Sequence, residues 1–276
     1  MAARTAQLRR GRHMSRAISI AKALLSHQFR QDVVYIGSAI ISFGTKLTYI
    51  ALSLLLIEVL FANVRTIGGY TRNEVLLLLF VGQFSFYIIS AFLYHSAFNA
   101  MLTINNGSFD YLLLKPVRAW PMALLSKASV LTAGLDITGN IIIFSVLINW
   151  SQLTITLSSA ALAALTWAIG IGLMACFLTI CLIPAFYTGQ SKTFINLMYA
   201  PPSQPFTLSI MPSWLRFISF TFMPVYFYSA AVTAMLLSKV SATLVIGGGI
   251  VGLLFMTAIS YSLWRKGLRK YASASS

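Results

Sequence analysis

Residues 155–183 read ITLSSAALAALTWAIGIGLMACFLTICLI, 29 consecutive positions without one charged side chain. A helix rises about 1.5 Å per residue and needs about 20 apolar residues to cross the hydrocarbon core of a bilayer. This stretch therefore reads as a membrane span. Pro184 and the polar run Thr188-Gly189-Gln190-Ser191-Lys192 close it. The turn at residues 149–152 precedes it. Working outward, comparable runs occupy residues 35–62, 75–100, 121–148 and 242–263. Another span enters near Lys192 and ends around Pro201, Pro202 and Pro205.

Composition agrees with that reading. Of 276 residues, 58% are hydrophobic and only 9% charged, with a mean hydropathy of +0.81. Soluble domains carry about a quarter charged residues. Five acidic residues and 20 Lys+Arg cannot wet a soluble surface of this size. A cytosolic enzyme, a disordered chain and a disulfide scaffold are excluded. The expected fold is all-α and polytopic, with about six transmembrane helices.

The formal charge of +15 does not point to nucleic acid, because the bases sit at the ends and in short loops between apolar runs. That is how topology signals are placed. With six spans and the N-terminus inside, the inner segments hold Arg4, Arg9, Arg10, Arg12, Arg16, Lys22, Arg30, Lys115, Arg118, Lys127, Lys192 and four C-terminal bases. The outer segments hold Arg65, Arg72, Arg216 and Lys239. Both termini are expected in the cytoplasm, in a multi-pass protein of the cell (inner) membrane.

The chain divides into three parts. Residues 1–34 form a basic N-terminus and interfacial helix, 35–264 the six-helix membrane domain with a cytoplasmic loop at 101–120, and 265–276 a cytoplasmic tail. Ile18, Ala21, Leu24, Leu25 and Phe29 fall at helical spacing, with bases largely elsewhere, so the N-terminal helix lies in the membrane interface. An acid-free, Arg-rich start also resembles a transit peptide, and Met14 is an alternative start. Before the last span, Pro201, Pro202, Pro205, Pro212 and Pro224 interrupt an aromatic-rich stretch with Trp214, Arg216, Phe217, Phe220 and Phe222. No straight helix passes through that cluster, so a broken, re-entrant or interfacial segment is expected. Residues 230–237 pack in the same region. Gly247, Gly248, Gly249 and Gly252 permit close helix contact in the last span, and Trp264 follows at the interface. Cys176 and Cys181 read as small apolar packers without a disulfide.

The loop between the second and third spans reads NNGSFDYLLLKPV, residues 105–117. Gly107 allows a tight turn, Asp110 suits the cap of a short helix, and Pro116 stops it. That helix would present Phe109, Leu112 and Leu113. On physics alone it suits docking to a soluble partner or lying against lipid.

The run NGSFDYLLLKPV resembles the Gly-x-Leu/Phe-Asp-x-x-Leu-Leu-Lys/Arg-Pro motif of ABC-2 type transporter permeases, more narrowly the small six-span permease subunits. The "FRQD" at the end of the amphipathic start and the stretch MPSWLRFISFTFMPVYFYSA are similar to that family's interfacial helix and its broken outer-leaflet segment. The stretch APPSQPF departs from it in being richer in proline. The resemblance implies a membrane path built by two permease chains, identical or related, above two ATPase subunits. It makes the 105–117 loop the coupling element, carried by Gly107, Phe109, Asp110, Leu113, Lys115 and Pro116. It implies export, with a hydrophobic or amphipathic compound as cargo. The chain has no Gly-x-x-x-x-Gly-Lys-Ser/Thr run, so it is expected to be no enzyme and to take no cofactor, the ATP being held by the partner.

Lys46, Glu58 and Asp136 are ionisable residues inside spans, where burial is costly unless they are paired. Lys46 and Asp136 lie at similar depth, so an ion pair between helices is expected. Either residue is also a candidate for lining a substrate path, Glu58 less so. Twelve positions part Lys46 from Glu58, about 120° around the helix, so they cannot pair within it. His13, His27 and His95 lack a second ligand at i+3 or i+4, and no metal site is expected. The alternative function is an ion-coupled secondary transporter using Lys46, Glu58 and Asp136, although no inverted repeat supports it. An integral membrane enzyme lacks any convincing catalytic set.

Overall fold

The computed structural model describes residues 28, 30, 32–34, 36–114, 119–124, 127–188 and 224–271. The chain is helical at 28, 30 and 32–34 and enters α1 (Ile36–Asn63). A two-residue turn joins β1 (Thr66–Ile67) to β2 (Tyr70–Thr71). Then come α2 (Arg72–Ile89), a π segment (Ser90–Tyr94) and α3 (His95–Asn105). Two short helices follow, α4 (Asp110–Leu113) and α5 (Ala119–Ala123), before α6 (Val130–Leu147). The long α7 (Leu157–Leu182) leads to α8 (Ala185–Thr188). Last are α9 (Val225–Tyr228), α10 (Ala230–Leu236) and α11 (Ala242–Lys270).

Among the described residues, five helices are long and apolar enough to cross a membrane: α1, α2–α3, α6, α7–α8 and α11. The fold is an all-α polytopic membrane protein. The expected span near Lys192, the segment from Trp214 to Phe222 and most of the N-terminal helix lie outside the described residues.

α2–α3 and α7 form the interior, whereas α1, α6 and α11 keep most of their apolar surface outward. In a bilayer an outward Leu or Ile costs nothing, so these helices need no polar face. α11, α9 and α10 pack on α7, and α6 packs between α1 and α2. One hydroxyl ties three elements: Ser85 of α2 donates to the Tyr228 carbonyl at 2.7 Å and accepts from Trp167 Nε1 of α7 at 2.9 Å.

The two ends of the bundle differ. At the hairpin end, Gly68 and Gly69 both take positive φ (57° and 82°), as a two-residue turn between twisted strands requires. Lys239 Nζ donates to Gly69 O at 2.8 Å and Glu74 Oε2 at 2.7 Å. The same Glu74 oxygen accepts the Thr71 amide. Asn73 and Asn149 exchange two hydrogen bonds, fastening the start of α2 to the α6–α7 turn. At the other end, the loop end, α4 meets α8 and the close of α11 through aromatic rings.

Three differences from the sequence reading have physical causes. The third span begins at Val130, not near residue 121. Residues 127–129 stay out of the helix because other elements take up their amides. Ser96 Oγ accepts from Lys127 N, Gln28 Oε1 from Ala128 N, Ala91 O from Ser129 N, and Asp32 Oδ2 from Leu131 N. The Ala91 carbonyl is free to do so because the π segment has opened the α-helical ladder there. Second, the last helix does not stop near residue 263 but runs to Lys270. Arg269 and Lys270 fill its last turn, where cations favour the helix dipole. Third, Trp264 is buried against Phe109 and Phe186 at the loop end.

Gly170 of α7 sits against the backbone of α9. A Cβ there would stand 2.8 Å from Phe227 C and from Tyr228 N. Backbone cannot yield as a side-chain tip can, and overpacking costs about 1–3 kcal/mol. At about 2–4 °C of Tm per kcal/mol, Gly170→Ala is expected to lower the melting temperature of the detergent-solubilised chain. Gly134→Ala, whose Cβ meets nothing within 4 Å, is expected to leave it in place. Scanning fluorimetry of the pair reads the difference.

Candidate functional site

The 105–114 loop is built by a glycine turn and anchored by one ring. α3 closes with Asn106 N donating to Leu102 O at 3.0 Å and Gly107 N to Ile104 O at 3.2 Å. Gly107 follows at φ 69°, in the left-handed region that glycine enters without penalty. The reversal drives Phe109 inward. Its ring is fully buried and lies edge-on to Phe186 of α8 at 6.1 Å and to Trp264 of α11 at 6.0 Å. Tyr271 just beyond α11 stands at 5.7 Å. Such pairs contribute about 0.5–1.5 kcal/mol each beyond area burial.

Two expectations for the loop change here. Phe109 is not presented outward but serves as its anchor. The exposed large apolar side chains are Tyr111 (76%), Leu113 (41%) and Leu114 (81%), while Leu112 is half-buried. Asp110 is not the cap of the short helix: Phe109 holds that position and Asp110 is the first helical residue. The Tyr271 hydroxyl neighbours the Asp110 carboxylate and the backbone at Phe109 and Asp110. Burial first, and that negative charge second, hold the phenol above its ordinary pKa, so it keeps its proton at neutral pH. Lys115 and Pro116 lie outside the described residues.

Within the membrane the structure brings Lys46 and Asp136 together. Lys46 Nζ of α1 donates to Asp136 Oδ2 of α6. The Asp136 side chain is 3% exposed and that of Lys46 18%. The ring of Tyr87 on α2 stands 5.4 Å from the ammonium, close enough for a cation–π contribution. Three helices thus meet on one neutralised charge pair. Glu58 is apart from it: both its carboxylate oxygens accept from Arg72 Nε, at 3.1 and 3.2 Å. That pair is half exposed at the hairpin end, where an ion pair contributes little.

The expected Lys46–Asp136 pair is present, whereas sequence reasoning missed the partners of Phe109 and of the amides at residues 127–131. Phe186, Trp264 and Tyr271 carry no signal of meeting Phe109, since they stand 77, 155 and 162 positions away. Gln28, Asp32 and Ser96 are likewise ordinary in sequence. Glu74 is different: Thr71 and Glu74 have the spacing of a capping box, legible before the structure.

Two substitution series test this geometry. Phe109→Ala removes a fully buried ring, a change that costs about 3–5 kcal/mol. It is expected to raise hydrogen exchange over residues 105–114 while exchange at the hairpin end stays unchanged. Lys46→Met leaves the buried carboxylate alone and is expected to cost about 3–5 kcal/mol, whereas Lys46→Met with Asp136→Leu is expected to recover most of it. Thermal unfolding of the three variants checks the order.

Residues 47–275, well over half of the chain, match the model of the family described as ABC-2 family transporter protein. No curated protein and no solved structure matches. The matched residues take in the anchored loop, Asp136 and all of α11, and begin one position after Lys46. The chain belongs to the ABC-2 transporter family and is a membrane-embedded permease component of an ABC transporter.

Proposed function

We propose that a separate P-loop ATPase subunit docks on the 105–117 loop of this permease and drives export of a hydrophobic or amphipathic compound. A second permease chain, identical or related, completes the membrane path. The loop end faces the cytoplasm, as the positive charges of the sequence favour. ATP is bound by the ATPase, and this chain takes no cofactor of its own.

One observation carries the reading. α4 turns Tyr111, Leu113 and Leu114 outward while Phe109, beside it, is locked against α8 and α11. An exposed apolar trio on a soluble face is a contact surface rather than a resting state. Displacement of α4 reaches the ends of two spans through one packed ring cluster, since close-packed interiors transmit strain. An apolar groove of about 320 Å³ between α5, α7 and α11, lined by Leu93, Trp120, Gly172 and Leu253 among others, supports an apolar cargo.

The test is co-purification of the ATPase subunit with the tagged chain. Tyr111 and Leu114 are exposed, so Tyr111→Asp and Leu114→Asp leave the fold intact. A contact residue of the interface centre contributes about 2 kcal/mol, so each variant is expected to weaken retention about thirtyfold. Ser151→Asp at the hairpin end is expected to change nothing. Undiminished retention in both loop variants, or no ATPase with the native chain, would overturn the docking reading and turn attention to ion-coupled transport through Lys46 and Asp136.

A further inference from the structure

Between α1, α3 and the start of α6 lies a cavity of about 190 Å³ whose lining is mostly polar. Asp32, Ser42, Lys46, His95, Ser129 and Thr132 contribute to its wall. It begins beside Asp32, at the loop end of α1, and reaches Lys46 near the middle of that helix. Past Lys46 the interior changes character. Ile50, Ile57, Leu76, Leu79 and Phe144 pack there into an apolar cluster.

Directly behind Lys46 stand polar atoms without partners. Among the described residues, Asp136 Oδ1, both amide atoms of Asn140 and Gln83 Nε2 make no hydrogen bond. Asp136, Asn140 and Gln83 are 4%, 1% and 1% exposed. Asn140 lies one turn beyond Asp136 on the same face of α6, and Gln83 one turn before Tyr87 on α2. Hydrocarbon satisfies none of these atoms, and buried polar groups are rarely left without a partner. The cavity ends at Lys46 and is roomy enough for several water molecules at about 30 Å³ each.

The chemistry of the wall fits water in both its roles. Lys46 supplies donors, Ser42, Ser129 and Thr132 supply hydroxyls, and the Asp32 carboxylate accepts. His95 Nδ1 lies 2.6 Å from the Ser90 carbonyl. A carbonyl only accepts, so Nδ1 carries the hydrogen in that contact.

We propose that this cavity is a water-filled inlet, a blind half-channel that enters from the loop end, reaches the Lys46–Asp136 pair and stops at the apolar plug of Ile50, Ile57 and Phe144. Water and small hydrogen-bonding groups reach the pair from one side of the membrane only. Which side that is rests on the orientation proposed above; the inlet itself does not.

Cysteine accessibility separates the two. In a full-length background with Cys176 and Cys181 replaced by Ala, single cysteines are placed at Ser42 and Thr132 in the inlet. Others go at Ile50 and Ile57 in the plug, at Ser108 in the loop and at Ser151 at the hairpin end. A charged, membrane-impermeant methanethiosulfonate is added to right-side-out and to inverted vesicles. Only the hydrated thiolate reacts. Ser42→Cys and Thr132→Cys are expected to label in whichever vesicles label Ser108→Cys, and to the same extent. Ile50→Cys and Ile57→Cys are expected to stay unlabelled in both. Unlabelled inlet cysteines beside a labelled Ser108→Cys would overturn the inlet. So would labelling of the inlet with Ser151→Cys, or labelling of the plug. Labelling of Ser108→Cys in right-side-out vesicles would overturn the orientation and leave the inlet standing.

Discussion

A bilayer interior offers no hydrogen bonds, so every amide and every charge placed there needs a partner from the chain or from water that the chain admits. Much of this structure follows from that constraint. The long helices satisfy their own backbones. Where the helical ladder is broken, at the π segment and at residues 127–129, the freed groups are taken up one by one. The Ala91 carbonyl receives Ser129 N, and Gln28, Ser96 and Asp32 receive the neighbouring amides. The shortened third span is thus not a defect of packing. It is the consequence of three distant polar side chains competing successfully for amides that a longer helix would have kept.

The same constraint separates the two ends by chemistry. The hairpin end is fastened by exposed polar contacts, Lys239 to Glu74 and Gly69 and Asn73 to Asn149, whose individual worth in water is small. The loop end is fastened by rings: Phe109, Phe186, Trp264 and Tyr271 make mutually edge-on contacts within 6.2 Å. A ring cluster is dense and directional, so a shift of one member displaces the others. Polar contacts at a wet surface re-form with water instead. Mechanical continuity from α4 to α8 and α11 is therefore strong at the loop end.

The span positions and the loop motif were legible from the sequence because hydropathy and glycine–proline punctuation are local properties. Residues 36–63 and 157–182 are helical nearly where the apolar runs placed them. Gly107 takes the positive φ that its position called for. Lys46 and Asp136 could be matched by depth, since each residue adds a fixed rise along a helix. What the sequence could not reveal depends on contacts between remote residues. Apolarity alone did not distinguish Phe109 as an anchor from Phe109 as a docking surface. The start of α6 was misplaced because residues 121–129 are apolar enough to continue the helix. The non-helical course of residues 127–129 follows from Gln28, Ser96 and Ala91, which no local pattern reveals.

The placement of the charge pair is itself an argument about mechanism. A buried ion pair in a sealed apolar site is hard to justify energetically, because desolvation offsets most of the attraction. Lys46 is not sealed: its side chain keeps 18% of its surface open, while Asp136 keeps 3%. The carboxylate is thus the fixed element, held by α6 with Asn140 behind it. The ammonium is the movable one, on a flexible stem that faces the polar cavity. The cavity offers Lys46 alternative partners in the hydroxyls of Ser42 and Thr132. The pair therefore favours the helix arrangement seen here while Lys46 stays open to the cavity.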